Sequence, residues 1–112
     1  MDIFFRTKKL QKICSTRKVA IKELGANGGS KLMQRMAELN AANSLEDISH
    51  LPPHRLHELT GERKGQFSVD LKHPFRLLFI PINEPLPQKE DGGLDKTKID
   101  EIQIIDIEDT HE

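Results

Sequence analysis

Arg55-Leu56-His57-Glu58-Leu59-Thr60-Gly61-Glu62-Arg63-Lys64-Gly65-Gln66-Phe67-Ser68-Val69, followed by Pro74-Phe75-Arg76-Leu77-Leu78-Phe79, is the stretch whose reading decides the fold. Phe67, Val69 and Leu71, then Phe75, Leu77 and Phe79, alternate with polar residues in runs too short for helices, and Gly61 and Gly65 flank a turn. The pattern predicts an antiparallel meander of two or three strands. Adjacent strands lie about 4.8 Å apart, so Arg55, His57, Arg63, Lys64 and Arg76 fall within two or three strand widths of one another. Under alternation His57 shares a strand face with Arg55 and Leu59. Several cations and an imidazole converging on one sheet surface suit a phosphate.

C-terminal to the meander, residues 83–98 carry Pro85, Pro87, Gly92 and Gly93 among many charges, which predicts a long polar hairpin loop suited to docking or shielding. Ile99, Ile102, Ile104, Ile105 and Ile107 then predict a last strand beside the 75–80 strand in the middle of the sheet. N-terminal to it, Pro52 and Pro53 stop any helix, and Ser44 to Asp47 reads as a short capped turn. Ser30 is a candidate N-cap for a helix whose stripe of Leu32, Met33, Met36 and Leu39 packs on the sheet, opposite Lys31, Gln34, Arg35 and Glu38. Gly25-Ala26-Asn27-Gly28-Gly29 reads as the end of the preceding helix, since Gly and Asn accept the positive φ of a C-terminal cap. It lacks the Gly-Lys-Ser/Thr ending of a phosphate loop. Helical spacing from Thr7 to Leu24, around Ser15 and Thr16, predicts one broken helix or two short ones, and Asp2 to Phe5 predicts a strand at a sheet edge. The expected architecture is α+β, one domain over 1–112: two or three N-terminal helices on a twisted, mainly antiparallel sheet of four or five strands, with the cations on the other face.

At 112 residues the chain is long enough for a single modest core, and with five Phe and no Trp or Tyr that core rests on Leu and Ile. A net charge of −1 argues against a polyanion partner until its distribution is seen. Met1 to Ile82 holds 14 Lys and Arg against 8 Asp and Glu, net +6, whereas Asn83 to Glu112 holds 3 against 10, net −7. A basic body that can meet nucleic acid is joined to an acidic segment that can shield it. Cys14 is the single cysteine, which excludes an internal disulfide and a CxxC metal site and fits a reducing cytoplasm. Met1 to Arg6 lacks the apolar stretch of a signal peptide, and no run approaches the roughly 20 residues of a membrane helix, so a cytoplasmic protein is expected, with no membrane partner.

If RNA is the nucleic acid met by the basic body, its cleavage without a metal or cofactor needs a base for the 2′-hydroxyl, cations for the phosphorane and an acid for the departing 5′-oxygen. Histidine suits the proton steps, with an ordinary pKa of about 6.5, and arginine can hold two phosphate oxygens at once. A strand histidine taken alone is more often an exposed polar residue than a catalytic one, and His57, beside the cations, is the first candidate for acid-base work; His54 reads as a residue of the loop before the strand, and His50 and His73 as turn residues. Arg76, flanked by Phe75, Leu77, Leu78 and Phe79, needs an anion: Asp106 or Glu108 from the last strand, a phosphate, or a phosphate that replaces the acid. Without Tyr or Trp, base stacking falls to Phe67, His or Arg.

Arg55-Leu56 with Leu59, Gly61, Lys64-Gly65, Phe67-Ser68-Val69 and Phe75-Arg76 resembles the HigB-like branch of the RelE/ParE toxins, the plasmid maintenance killer proteins. The likeness extends to Asp109-Thr110-His111, which is similar to the family's closing Asp-Tyr-His, with Thr110 in place of the Tyr. The resemblance implies the toxin of a type II toxin-antitoxin pair, a ribosome-dependent mRNA endonuclease. It also implies a helix-turn-helix antitoxin through which operator DNA is reached. Carried onto this chain, it makes His57 and His111 acid-base candidates, Asp109 an orienting residue, and Arg55, Arg63, Lys64 and Arg76 the phosphate holders. Two alternatives stay open: a ParE-like inhibitor of DNA gyrase, and an interaction module of the same fold whose chemistry has weakened without the Tyr.

Overall fold

The computed structural model describes residues 1–110, beginning with a strand, β1 (Asp2–Phe5). Thr7 is extended and its hydroxyl accepts the Leu10 N–H at 3.1 Å, an N-cap that starts α1 (Lys8–Ser15). Thr16 breaks the helical path in extended conformation, and α2 (Arg17–Ala41) follows. Two helices separated near Ser15 and Thr16 agree with the spacing.

The helix that begins at Arg17 breaks at Gly25, as the positive φ expected of the glycine-rich stretch requires, but the rest of that stretch is helical. Only Gly25 leaves helical geometry, at φ 82 and ψ 170, and helix resumes at once, so Ser30 lies inside α2 and caps nothing. Gly28 and Gly29 serve close approach instead: a Cβ on Gly29 would lie 2.6 Å from the Ile21 backbone nitrogen. The kink folds the second half of α2 over the first. Leu32, Met36 and Leu39 are buried as expected, but Arg35 is buried with them. Its Nε donates to the Asp70 carbonyl at 2.9 Å, Nη1 to Glu38 Oε1 at 2.9 Å and Nη2 to the Pro53 carbonyl at 3.4 Å. The side chain expected on the exposed face thus pins α2 to the sheet and to the proline loop, with each of its three nitrogens hydrogen-bonded.

Five strands form one mixed sheet in the order β1-β5-β4-β3-β2, with β2 (His57–Glu58), β3 (Phe67–Asp70), β4 (Phe75–Pro81) and β5 (Glu101–Asp109). β1 runs parallel to β5, and the other pairs are antiparallel. The isoleucine-rich β5 takes the interior place beside β4, the middle strand, that its composition predicts. Phe67, Val69, Leu77, Phe79, Ile102 and Ile104 share one apolar core with the buried helix residues Ile13, Cys14, Ala20, Leu32, Met36 and Leu39. Burial in that core pushes the Cys14 thiol up to about 12. A register shift between Leu78 and Phe79 adds a residue to β5, and Leu59, Leu78 and Ile105 form a smaller apolar cluster with Ile80 against it.

The 83–98 segment is a structured hairpin. Gln88 bridges Leu94, the Lys89 N–H donates to the Gly93 carbonyl at 2.7 Å, and Leu94 packs on the core. Among the described residues no helix is long and apolar enough to cross a membrane.

Candidate functional site

Strand register builds the site. His57 pairs with Ser68, Asp70 with Arg76, and Arg76 with Glu108, so these side chains stand on one sheet face, away from Phe67, Val69 and Leu77. At the turn end of the β3–β4 hairpin lies a groove of about 290 Å³, lined by Arg55, His57, Asp70, His73, Arg76 and Thr110 among others.

Arg55 does not extend a regular strand from His57. It has φ 50, the left-handed region that non-glycine residues seldom occupy, and its N–H closes a turn onto the Leu51 carbonyl at 3.0 Å. Its exposed guanidinium reaches Asp70 Oδ2 at 3.6 Å, while its carbonyl lies 3.2 Å from His57 Nδ1. The His57 ring is exposed above the fully buried Ser68, whose hydroxyl lies 3.4 Å from Nδ1. The strand thus offers an accessible imidazole with its backbone-side nitrogen near two polar groups.

Glu108 answers the question posed by Arg76. Arg76 Nε donates to Glu108 Oε2 at 2.7 Å, and Arg63 approaches both carboxylate oxygens at 3.2 and 3.3 Å. Burial alone would raise the Glu108 carboxyl, but hydrogen bonds from Arg63 and Arg76, reinforced by their charges, hold it below the usual carboxylate range. One carboxylate therefore occupies two guanidinium forks. Lys64 is exposed and carries no ion pair among the described residues.

Two expected roles meet obstacles. Phe67 is 3% exposed and its ring stacks on Phe79 at 6.0 Å between centroids, so it belongs to the core and offers no face to a base. Asp109 pairs with Phe75 and alternates with Glu108, which directs it to the face opposite Arg76 and away from the His57 side. Thr110 holds the end of β5 to the β3–β4 turn, its N–H and hydroxyl both donating to the Pro74 carbonyl, at 2.8 and 2.7 Å. His111 lies outside the described residues.

His73 and Phe75 line the groove without having been singled out for it. The His73-Pro74 dipeptide signals a turn, and only pairing with β5 reveals that the turn overhangs the cation face. His54, by contrast, belongs to the framework: its Nε2 lies 2.7 Å from Glu38 Oε2, beside the Arg35–Glu38 pair. Among the described residues no group of three or more His, Cys, Asp or Glu side chains is disposed to hold a metal ion. The groove has the chemistry to take an anion: its guanidiniums bind carboxylates, whose paired oxygens phosphate oxygens can match, next to imidazoles that can carry protons.

No protein-family model matches the chain, and no curated protein sequence is significantly similar to it.

Proposed function

We propose that this protein is a ribosome-dependent mRNA endonuclease of the HigB type, the toxin of a type II toxin-antitoxin pair with a RelE/ParE-like fold. The observation that carries the reading is the groove that joins Arg55, His57, His73 and Arg76. In the reaction the 2′-oxygen attacks the adjacent phosphorus while the bond from phosphorus to the 5′-oxygen breaks, giving a 2′,3′-cyclic phosphate and a 5′-hydroxyl. His57 takes or gives a proton, and a second histidine, His73 or His111, serves the other step. Arg76 and Arg63 exchange Glu108 for the scissile phosphate as charge builds on it, and Arg55 and Lys64 hold flanking phosphates. A helix-turn-helix antitoxin, the ribosome with its mRNA, and operator DNA through the antitoxin are the partners that go with this activity in a cytoplasmic setting.

A second reading has one specific observation in its favour: Glu108 already satisfies Arg63 and Arg76. On that reading the chain is an interaction module without catalysis. Primer extension on a reporter mRNA, after induction without antitoxin, decides between them when run beside His57→Ala and a translation-blocked culture. Cleavage ends seen only with the wild type under active translation are expected. Intact mRNA with normal growth supports the inert module, and intact mRNA with arrested growth supports a gyrase inhibitor.

A further inference from the structure

We propose that the exposed face formed by α1 and the start of α2 is a docking surface for the phosphate backbone of duplex RNA, separate from the groove; the choice of RNA rests on the function proposed above. Lys8, Lys9, Lys12, Arg17, Lys18 and Lys22 are all exposed, and the chain has no Asp or Glu from Arg6 through Lys22. None of the six forms an ion pair among the described residues.

Their positions work against folding. Lys8 and Lys9 fall in the first turn of α1, and Arg17 and Lys18 in the first turn of α2; neither turn contains an acidic residue. The amide dipoles at a helix N-terminus repel cations, so four charges stand where the helices are least stable with them. Local choices that conflict with the fold mark function more often than architecture.

The chemistry of the face selects the occupant. From Arg6 through Lys22 only Ile21 exposes a large apolar side chain, at 37%, which leaves little of the apolar centre a protein interface needs. That segment contains no aromatic residue on which an unpaired base can stack. Ammonium and guanidinium groups on a short helix suit the backbone of an A-form duplex, whose deep major groove admits no side-chain readout. The face also leads toward the groove. A cavity of about 430 Å³ beside α1 is lined by Arg6, Lys9, Leu10 and Phe75, with Glu23 and Asp106 also on its walls, and Phe75 lines the groove as well.

The test is fluorescence polarisation of a labelled, fully 2′-O-methylated 20-base-pair RNA duplex with the full chain at 50 and 200 mM salt. The duplex cannot be cleaved, so the outcome is independent of nuclease activity. Four phosphate contacts give a log–log salt slope of about −3.6, a loss on the order of 100-fold across that range. The variant Lys8→Gln/Lys9→Gln/Arg17→Gln/Lys18→Gln is expected to lose most of that slope and at least ten-fold in affinity at 50 mM salt. Its thermal midpoint should be unchanged or higher, because the repelled charges are gone. Unchanged affinity and slope in the variant overturn the proposal. So does equal binding of a DNA duplex, or low-salt self-association of the wild type abolished by the same substitutions, which would assign the face to the acidic segment of a second copy.

Discussion

At the scale of single residues, the proposed chemistry turns on Glu108, the partner of the groove's Arg76. Its carboxylate holds Arg63 and Arg76 as a phosphate would, so the two guanidiniums are aimed and neutralised by the same group. Glu108→Gln keeps the shape and removes the competing charge. RNA affinity measured on a short, 2′-O-methylated single strand is expected to rise several-fold; an unchanged affinity would mean that the pair is purely structural. Legibility at this scale followed the degree of constraint. A charge inside a central strand must have a partner, and the acids of the neighbouring strand were few, so Glu108 was on the short list. Phe67 was misjudged because alternation divides residues between faces without saying which face is covered. The burial of Arg35 is not legible locally because two of its three acceptors, the Asp70 and Pro53 carbonyls, come from distant segments, and only Glu38 lies on its own helix.

Among the elements, α2 shows most clearly where local reasoning stopped. Gly25 was legible as a breaker, and it is one, with φ 82. Gly28 and Gly29 looked like its continuation, yet they are buried helix residues selected by the proximity of Leu24 and Ile21. No pattern within the segment distinguishes a glycine required for torsion from one required for space. The distinction is measurable: Gly29→Ala forces a Cβ against the Ile21 backbone and is expected to cost about 1–3 kcal/mol, read from urea unfolding. A neutral result would contradict the close approach. The strands were more legible, since period-two patterning and the isoleucines of β5 gave the meander and the interior position. β2 is shorter than its sequence suggests because Arg55 turns out of the extended region before His57.

Across the whole molecule, charge organises both stability and binding. Glu38 and Glu108 are both held below the ordinary carboxylate range: burial opposes this, but His54 and Arg35 in one case and Arg63 and Arg76 in the other outweigh it. Their depressed values bind fewer protons in the folded state, so the stability they contribute is fully present above the unfolded carboxylate pKa of about 4.3 and is lost as pH falls through the folded values. Urea midpoints should therefore hold from neutrality down to about pH 5 as far as these two groups are concerned and decline below it. Glu38→Gln/Glu108→Gln should flatten that decline, and an acid limb identical to the wild type would remove these carboxylates from the account. The basic body and acidic segment were visible in the sequence because charge counts need no fold, and strand alternation placed His57 and Arg76 on one surface; the approach of His73 to them was not visible, because it depends on register. The claim that this groove cleaves RNA is tested most directly by programmed ribosomes incubated with purified protein, with the new mRNA ends identified by mass spectrometry. The account predicts 2′,3′-cyclic phosphate and 5′-hydroxyl ends, absent with His57→Ala; 5′-phosphate ends, or mRNA left intact by the wild type, would contradict it.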